Sequence, residues 1–142
     1  MTRTSCEFRT SNMHIGLDPI TPKGNLKREW YDFLSIFCSY FDVNKLDMDE
    51  AKHYLIEIAK NYQVLFPSVE FELVIMATVR FVCKYFSYCE NERLYDLDMF
   101  LKNLYGNDEI LVNGVSMPQW KNKYQTLCWV ESQLEVIFQI TE

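Results

Sequence analysis

The sequence predicts an all-α domain of five helices, with one of them buried at the centre. Three observations carry this expectation. Residues Phe71 to Tyr88 read FELVIMATVRFVCKYFSY and leave almost no polar face; a helix that is apolar all round is normally wrapped by its neighbours. Other segments space their apolar residues by three and four, the period of one helix face. Strand signals are confined to one short stretch, at about 109–117.

The chain has 142 residues, room for one domain. A chain of this size buries roughly two-thirds of its unfolded surface and folds without a metal or disulfide. Apolar residues make up 49% and aromatics 15%, which supplies bulky core pieces. The net charge of −6 argues against direct binding to nucleic acid or to an anionic membrane, since both need a surplus of Lys and Arg.

Residues 1–24 are polar and punctuated by Gly16, Pro19, Pro22 and Gly24. They read as an N-terminal arm, pinned by Ile15, Leu17 and Ile20. The domain proper runs over 25–142. Its first helix spans Leu26 to Phe41, with Leu26, Trp30, Phe33, Leu34, Phe37, Cys38 and Phe41 on one face and Asn25 as N-cap. A second starts at Asp47, where Asp47 and Glu50 form a capping-box pattern. Ala51, Leu55, Ile58, Ala59 and Tyr62 are its stripe, and Pro67 stops it.

The central helix follows at about 69–88, with Ser68 as N-cap. Arg80 and Lys84 interrupt it, and a bilayer span would need ~20 apolar residues. A shorter helix, Leu94 to Tyr105, buries Leu97, Phe100, Leu101 and Leu104 and stops at Gly106. In Glu109–Met117, Asn113-Gly114 stands between apolar residues, the strongest short hairpin signal; an extended loop or small ribbon is expected. Pro118 suits the start of a last helix. Trp120, Tyr124, Leu127, Cys128, Leu134, Ile137 and Phe138 face inward along it as far as Ile140.

Cys6, Cys38, Cys83, Cys89 and Cys128 form no CxxC, and His14 and His53 are far apart. Scattered thiols in odd number fit reduced structural cysteines in the nucleus or cytoplasm. The N-terminus has no apolar run of signal-peptide length. There is no GxGxxG, P-loop, HExxH or GxSxG, and no nucleophile, base and orienting group at recognisable spacing. No enzyme activity, cofactor or metal is therefore expected.

Two charges stand out on apolar faces. Lys84 lies in the central helix. Glu131 shares a face of the last helix with Leu127, Leu134 and Phe138. Burying either charge alone would cost several kcal/mol. Either each snorkels to solvent, or the two helices pack together and Lys84 pairs with Glu131 at the edge of their interface.

At these residues the chain resembles a cyclin box, a five-helix fold wrapped around its third helix. Phe71-Glu72-Leu73-Val74 stands where cyclins have leucine-glutamine-leucine-valine. Val82-Cys83-Lys84-Tyr85 stands where they have alanine-serine-lysine followed by an aromatic, and the twelve-residue step from Glu72 to Lys84 is kept. Val130-Glu131, then Leu134 and Ile137, is similar to the family's methionine-glutamate pair and its leucine-rich continuation. Asp32-Phe33-Leu34 resembles aspartate-tryptophan-leucine, and Tyr54-Leu55 through Asn61-Tyr62 follows the second-helix pattern. The likeness runs from about Leu26 to Ile140. A single short box resembles a diverged viral cyclin or a fragment of a longer protein.

The resemblance implies a regulator that binds a cyclin-dependent kinase and positions its regulatory helix, acting in the cell cycle or transcription. Lys84 and Glu131 match the residues that hold backbone groups of that helix. Leu73, Phe81, Tyr85, Phe100 and Leu134 would complete the partner-binding surface. Leu26, Trp30 and Phe33 match the family's substrate-docking patch, with Glu29 placing a charge in it. The transcription machinery is a further expected partner. Phe86 and Ser87 replace the family's acidic residues after Lys84-Tyr85, and Gly106–Pro118 is an insertion. The alternative is a helical adaptor that binds a transcription or apoptosis regulator without a kinase.

Overall fold

The stretch expected at the centre forms a helix, Phe71–Tyr85, and every residue from Phe71 to Val82 is buried. The structure is a computed structural model that describes residues 18–87 and 91–139. Its elements in order are α1 (Arg28–Tyr40), α2 (Lys45–Lys60), the single turn α3 (Tyr62–Leu65) and α4 (Phe71–Tyr85). A 3₁₀ turn (Glu92–Tyr95), α5 (Asp98–Tyr105), β1 (Glu109–Val112), β2 (Val115–Pro118) and α6 (Gln119–Ile137) follow. The molecule is thus mostly helical with one two-stranded sheet, and α4 is packed by α1, α2 and α6.

The shell follows the predicted stripes. Trp30, Phe33, Leu34, Phe37 and Cys38 are the buried side of α1, and Ala51, Leu55, Ile58 and Ala59 that of α2. Edge-to-face contacts of Phe71 with Trp30 (5.4 Å between ring centres) and Tyr62 (5.3 Å) lock both flanks onto the start of α4. Phe81 does the same at the other end, among Tyr54, Tyr85, Phe86 and Phe138.

Several boundaries differ from expectation, each for a local reason. Asn25 does not cap α1. It lies in a turn in which Thr21 N–H donates to its carbonyl (2.7 Å), and α1 starts after Lys27. Asn44, not Asp47, caps α2, its side chain accepting from the Asp47 N–H at 2.8 Å. The Asp47 carboxylate is drawn instead to the far end of α4, where it accepts from the Ser87 hydroxyl at 2.6 Å. The second helix breaks at Asn61, and Tyr62 continues into α3. Tyr62 is fully buried and its hydroxyl donates to the Val69 carbonyl, so the break turns it under the loop before α4.

Ser68 does not cap α4; that position is Glu70, which carries no side-chain cap bond. Acidic Glu70 and Glu72 at the helix start and Lys84 at its end instead complement the helix dipole. The predicted helix from Leu94 to Tyr105 divides into the 3₁₀ turn and α5, with Leu97 between them. Gly106 ends α5 at φ +85° as expected. The 109–117 stretch is an antiparallel hairpin that pairs Val112 with Val115. Its turn residues Asn113 (φ +53°) and Gly114 (φ +83°) both have the positive φ a two-residue turn needs.

Of the arm, residues 18–24 are described. Ile20 bridges to Leu26 and packs on the core, and the Pro19 carbonyl accepts from the Lys27 N–H. The expected anchors Ile15 and Leu17, the end of the central stretch at Tyr88, Cys6, Cys89 and Ile140 lie outside the described residues.

Because Leu73 is fully buried beside neighbours on all sides, Leu73→Ala should lower unfolding free energy by about 2–5 kcal/mol. Urea denaturation followed by circular dichroism measures this. A loss below about 1 kcal/mol would contradict the wrapped position of α4.

Candidate functional site

Helix α4 ends in a set of charges that it shares with α6. Arg80 and Lys84 are one helical turn apart on α4, and Glu131 and Glu135 are one turn apart on α6. The four form a two-rung ladder across the interface. Arg80 Nε lies 3.1 Å from Glu131 Oε1, with side chains only 6% and 8% exposed. Lys84 Nζ lies 3.5 Å from Glu135 Oε2, with side chains 44% and 33% exposed. The expected Lys84–Glu131 pair is therefore not made. The two helices do pack together, but one turn out of the anticipated step, so Glu131 meets Arg80 in the interior and Lys84 meets Glu135 at the rim.

The inner rung is sealed by aromatic rings. The guanidinium carbon of Arg80 lies 5.0 Å from the centre of the Tyr95 ring and 5.5 Å from that of Tyr124. Both distances fit cation–π contacts. The Arg80 Nε–H does not point along the line to Glu131, so that contact is an ion pair rather than a hydrogen bond, and Arg80 Nη1 is buried without a hydrogen-bond partner. Burial pushes the Glu131 carboxyl above its ordinary value, and the attraction of Arg80 and Lys84 only partly offsets it.

The outer rung is a surface cluster. The nearby Glu135 carboxylate and burial raise the pKa of the Tyr85 hydroxyl. Burial lowers the Lys84 ammonium, but the adjacent Tyr85 hydroxyl and the charges of Glu135 and Glu131 outweigh that, and the net direction is upward. Lys84, Tyr85 and Glu135 thus act as one polar unit where α4 reaches the surface.

A cavity of about 310 Å³ opens beside the ladder, lined by Arg80, Cys83, Lys84, Asn91, Glu92, Leu94 and Tyr95. Its far wall is held by Asn91, whose amide donates to the Phe41 carbonyl at 2.9 Å. Arg93 braces the same segment by contacts to Asp42 (2.6 Å) and the Tyr40 carbonyl (3.0 Å).

The other sequence-predicted residues fall in two groups. Tyr85 is half-buried in the outer rung. Phe100 is half-buried at the edge of an aromatic cluster with Phe37, Tyr40 and Phe41, at 5.3, 5.0 and 5.6 Å. Leu73, Phe81 and Leu134 are completely buried and present no side-chain surface to a partner. Leu26, Trp30 and Phe33 of the docking patch are likewise in the core at 6%, 3% and 2% exposure. Trp30 packs on Phe71 and Phe33 on Phe100, which leaves no apolar docking face from these three side chains. Arg80 is visible in the sequence as a break in the apolar run, but the spacing alone does not link it to Glu131.

Cys38 is buried and Cys83 half-buried, and both thiols are pushed up to about 12. Desolvation is the main cause, with Asp47 adding to it at both. No group of three His, Cys, Asp or Glu side chains among the described residues is placed to hold a metal ion. No helix among them is long and apolar enough to cross a membrane. Compared with known proteins, the chain matches no family model, no curated protein and no solved structure.

Two outcomes follow from these groups. The raised Glu131 carboxyl means that the folded chain binds this proton more tightly than the unfolded one. The stability it adds is complete below the ordinary value of 4.5 and is lost as pH rises through the higher folded value. Wild type should therefore lose stability relative to Glu131→Gln as pH rises from 4.5 towards neutrality. Denaturation midpoints of both proteins across that range check it, and an opposite trend would overturn the assignment. For the thiols, three units of pKa leave roughly a thousandfold less thiolate at Cys38 and Cys83. Iodoacetamide should modify both at least a hundredfold more slowly in the native chain than in urea, as read by peptide mass spectrometry.

Proposed function

We propose that this chain is a cyclin-like regulatory module that binds a cyclin-dependent kinase and holds its regulatory helix, and that the contact centres on the outer rung of the ladder. The observation that carries this reading is the exit of a wholly buried central helix at a half-exposed Lys84 with a carboxylate at 3.5 Å. A cation and an anion side by side can take a carbonyl and an N–H of a partner helix at once, and a helix set against a groove is a common recognition mode. The order of helices around α4 and the residues at the cyclin-like positions support it further.

One role shifts within this reading. Glu131 matches the family's glutamate in sequence but is turned inward to Arg80. Glu135, one turn further along α6, is the carboxylate beside Lys84 at the surface. The proposal therefore gives Glu135 the contact and Glu131 the task of anchoring Arg80 beneath it. Phe100 and Tyr85 would supply apolar contact. The module completes its partner's active state by binding and contributes a coupling free energy.

Affinity capture of kinases from cell extract with wild type and with Lys84→Ala/Glu135→Ala tests this. Both positions are partly exposed, so the double variant should keep its melting temperature within a few degrees. It should recover at least tenfold less kinase. Unchanged recovery would remove the outer rung from the contact, and a wild-type protein that captures partners but no kinase would favour the adaptor reading.

A further inference from the structure

The aromatic cluster at the far end of α4 opens to the surface beside α2. Glu50, His53, Tyr54 and Glu57 line a cavity of about 250 Å³ together with Phe138. The four α2 residues have the i, i+3, i+4, i+7 spacing of one helix face. Glu50, His53 and Glu57 are exposed and Tyr54 and Phe138 half-buried, so a ligand can reach all five. The Tyr54 and Phe138 rings meet at 78° with centres 4.6 Å apart, and Phe86 stacks on Tyr54 at 5.5 Å. The cavity therefore has an aromatic corner for a wall and carboxylates at its rim.

Three independent features select a cation. Aromatic rings attract a positive charge to their faces, more strongly where water is partly excluded. Glu50 and Glu57 stand two turns apart on α2, about 10.5 Å, and bracket Tyr54. Burial pushes the Tyr54 hydroxyl up and the Glu50 carboxylate adds to it, so this negative charge is felt at the ring. Finally, Phe138 and Phe86 are the C-cap residues of α6 and α4. Two helices thus turn the negative ends of their dipoles towards the cluster. Helix α6 has no basic residue in its last turn to answer that charge, and Lys84 at the end of α4 is engaged with Glu135. Lys60 lies 3.5 Å from Glu57, but both side chains are more than half exposed. So open a pair is weak and yields to a ligand.

We propose that this cavity is a docking site for a lysine side chain of a protein partner, with the Tyr54–Phe138 corner taking the alkylammonium end and Glu50 and Glu57 countering its charge. The volume suits one side chain, since pockets for whole small molecules start at about 300 Å³. An anion would be repelled by both glutamates and both helix ends. An uncharged apolar side chain would fill the corner and leave the rim charge unanswered. The site shares no residue with the outer rung and does not rest on the kinase reading. Phe86, which departs from the cyclin-like pattern after Lys84-Tyr85, gains a role here as the ring behind Tyr54.

The test titrates the full ¹⁵N-labelled chain with N-acetyl-lysine-N-methylamide at fixed pH and ionic strength. The corresponding norleucine and glutamate derivatives are the uncharged and anionic comparisons. The lysine probe should give saturable shifts of the His53, Tyr54 and Phe138 amides, while the other two give none. Glu50→Gln/Glu57→Gln alters two exposed side chains at constant size and should weaken the probe at least fivefold. Asp96→Asn/Asp108→Asn removes as much charge from exposed positions elsewhere and should leave its affinity unchanged. Phe138→Leu takes one ring from the corner and should weaken the probe at least threefold; if that variant does not fold, Phe86→Leu, at a partly exposed ring, should weaken it in the same direction. Equal shifts from the norleucine derivative would overturn the cation assignment. An equal loss in Asp96→Asn/Asp108→Asn would reduce the effect to general surface charge and overturn the site, as would the absence of a saturable shift with the lysine probe. None of these outcomes depends on kinase capture, so the two proposals fail separately.

Discussion

The structure depends on burying α4 on all sides. Twelve consecutive residues, Phe71 to Val82, are removed from water, and they include Glu72, Thr78 and Arg80. Apolar burial at about 25 cal/mol per Å² drives this arrangement, but each polar side chain carried inward must find its own answer within the protein. Thr78 turns its hydroxyl back to the Val74 carbonyl at 2.7 Å, and Glu72 receives the Tyr105 hydroxyl at 3.1 Å. Arg80 is the demanding case. It needs a carboxylate from another element, and Glu131 of α6 supplies it.

The two ends of α4 are tied down by different chemistry. At its start, Lys123 of α6 reaches Glu70 at 2.6 Å, and the Tyr105 hydroxyl is pushed well up by burial and by the nearby Glu72 and Glu70. At its finish, Asp47 of α2 holds Ser87, and Lys84 reaches Glu135. Helix α6 thus answers the acidic start of α4 with a cation and its basic finish with anions. Such pairs add little net stability when buried, because desolvation offsets their attraction, but removing one partner costs about 3–5 kcal/mol. Their larger effect here is to fix which turn of α6 lies against which turn of α4.

That axial step is what the sequence did not disclose. The three- and four-residue spacing of Leu127, Glu131 and Leu134 identifies the face of α6, and the apolar run identifies α4 as the rod. Periodicity says nothing of how far one helix slides along another, and a slide of one turn, about 5.4 Å, exchanges Lys84 for Arg80 opposite Glu131. A sequence signal did exist. Arg80 lies four residues before Lys84, deeper in the run and flanked by Val79 and Phe81, so it has less reach to solvent than Lys84 and the stronger claim on the one carboxylate of the α6 stripe. The hairpin and the Gly106 stop were legible because they depend on single residues with special backbone freedom. The caps at Asn25, Asp47 and Ser68 were not, because several polar residues compete near each helix start and tertiary contacts choose among them, as Ser87 does for Asp47. The docking patch failed for a related reason. Trp30 and Phe33 are large enough to be either surface anchors or core, and the rings of Phe71 and Phe100 decide for core.

The inner rung also bears on how the outer one could act. An exposed Lys–Glu pair by itself is worth about 0–1 kcal/mol and is free to rearrange, so it makes a poor template for a partner. Lys84 and Glu135 differ from such a pair because each stands one turn from a residue whose position is fixed by burial. Arg80 is held by Glu131, Tyr95 and Tyr124, and Glu131 by Arg80. The backbone beneath the outer rung is therefore anchored by buried contacts, and Lys84 also lies 5.1 Å from the centre of the Tyr85 ring. Preorganisation of this kind lowers the entropy lost when a partner docks. A charge buried at a stability cost one turn inside the Lys84–Glu135 pair is then understandable as the means by which the interior sets the geometry of the rim.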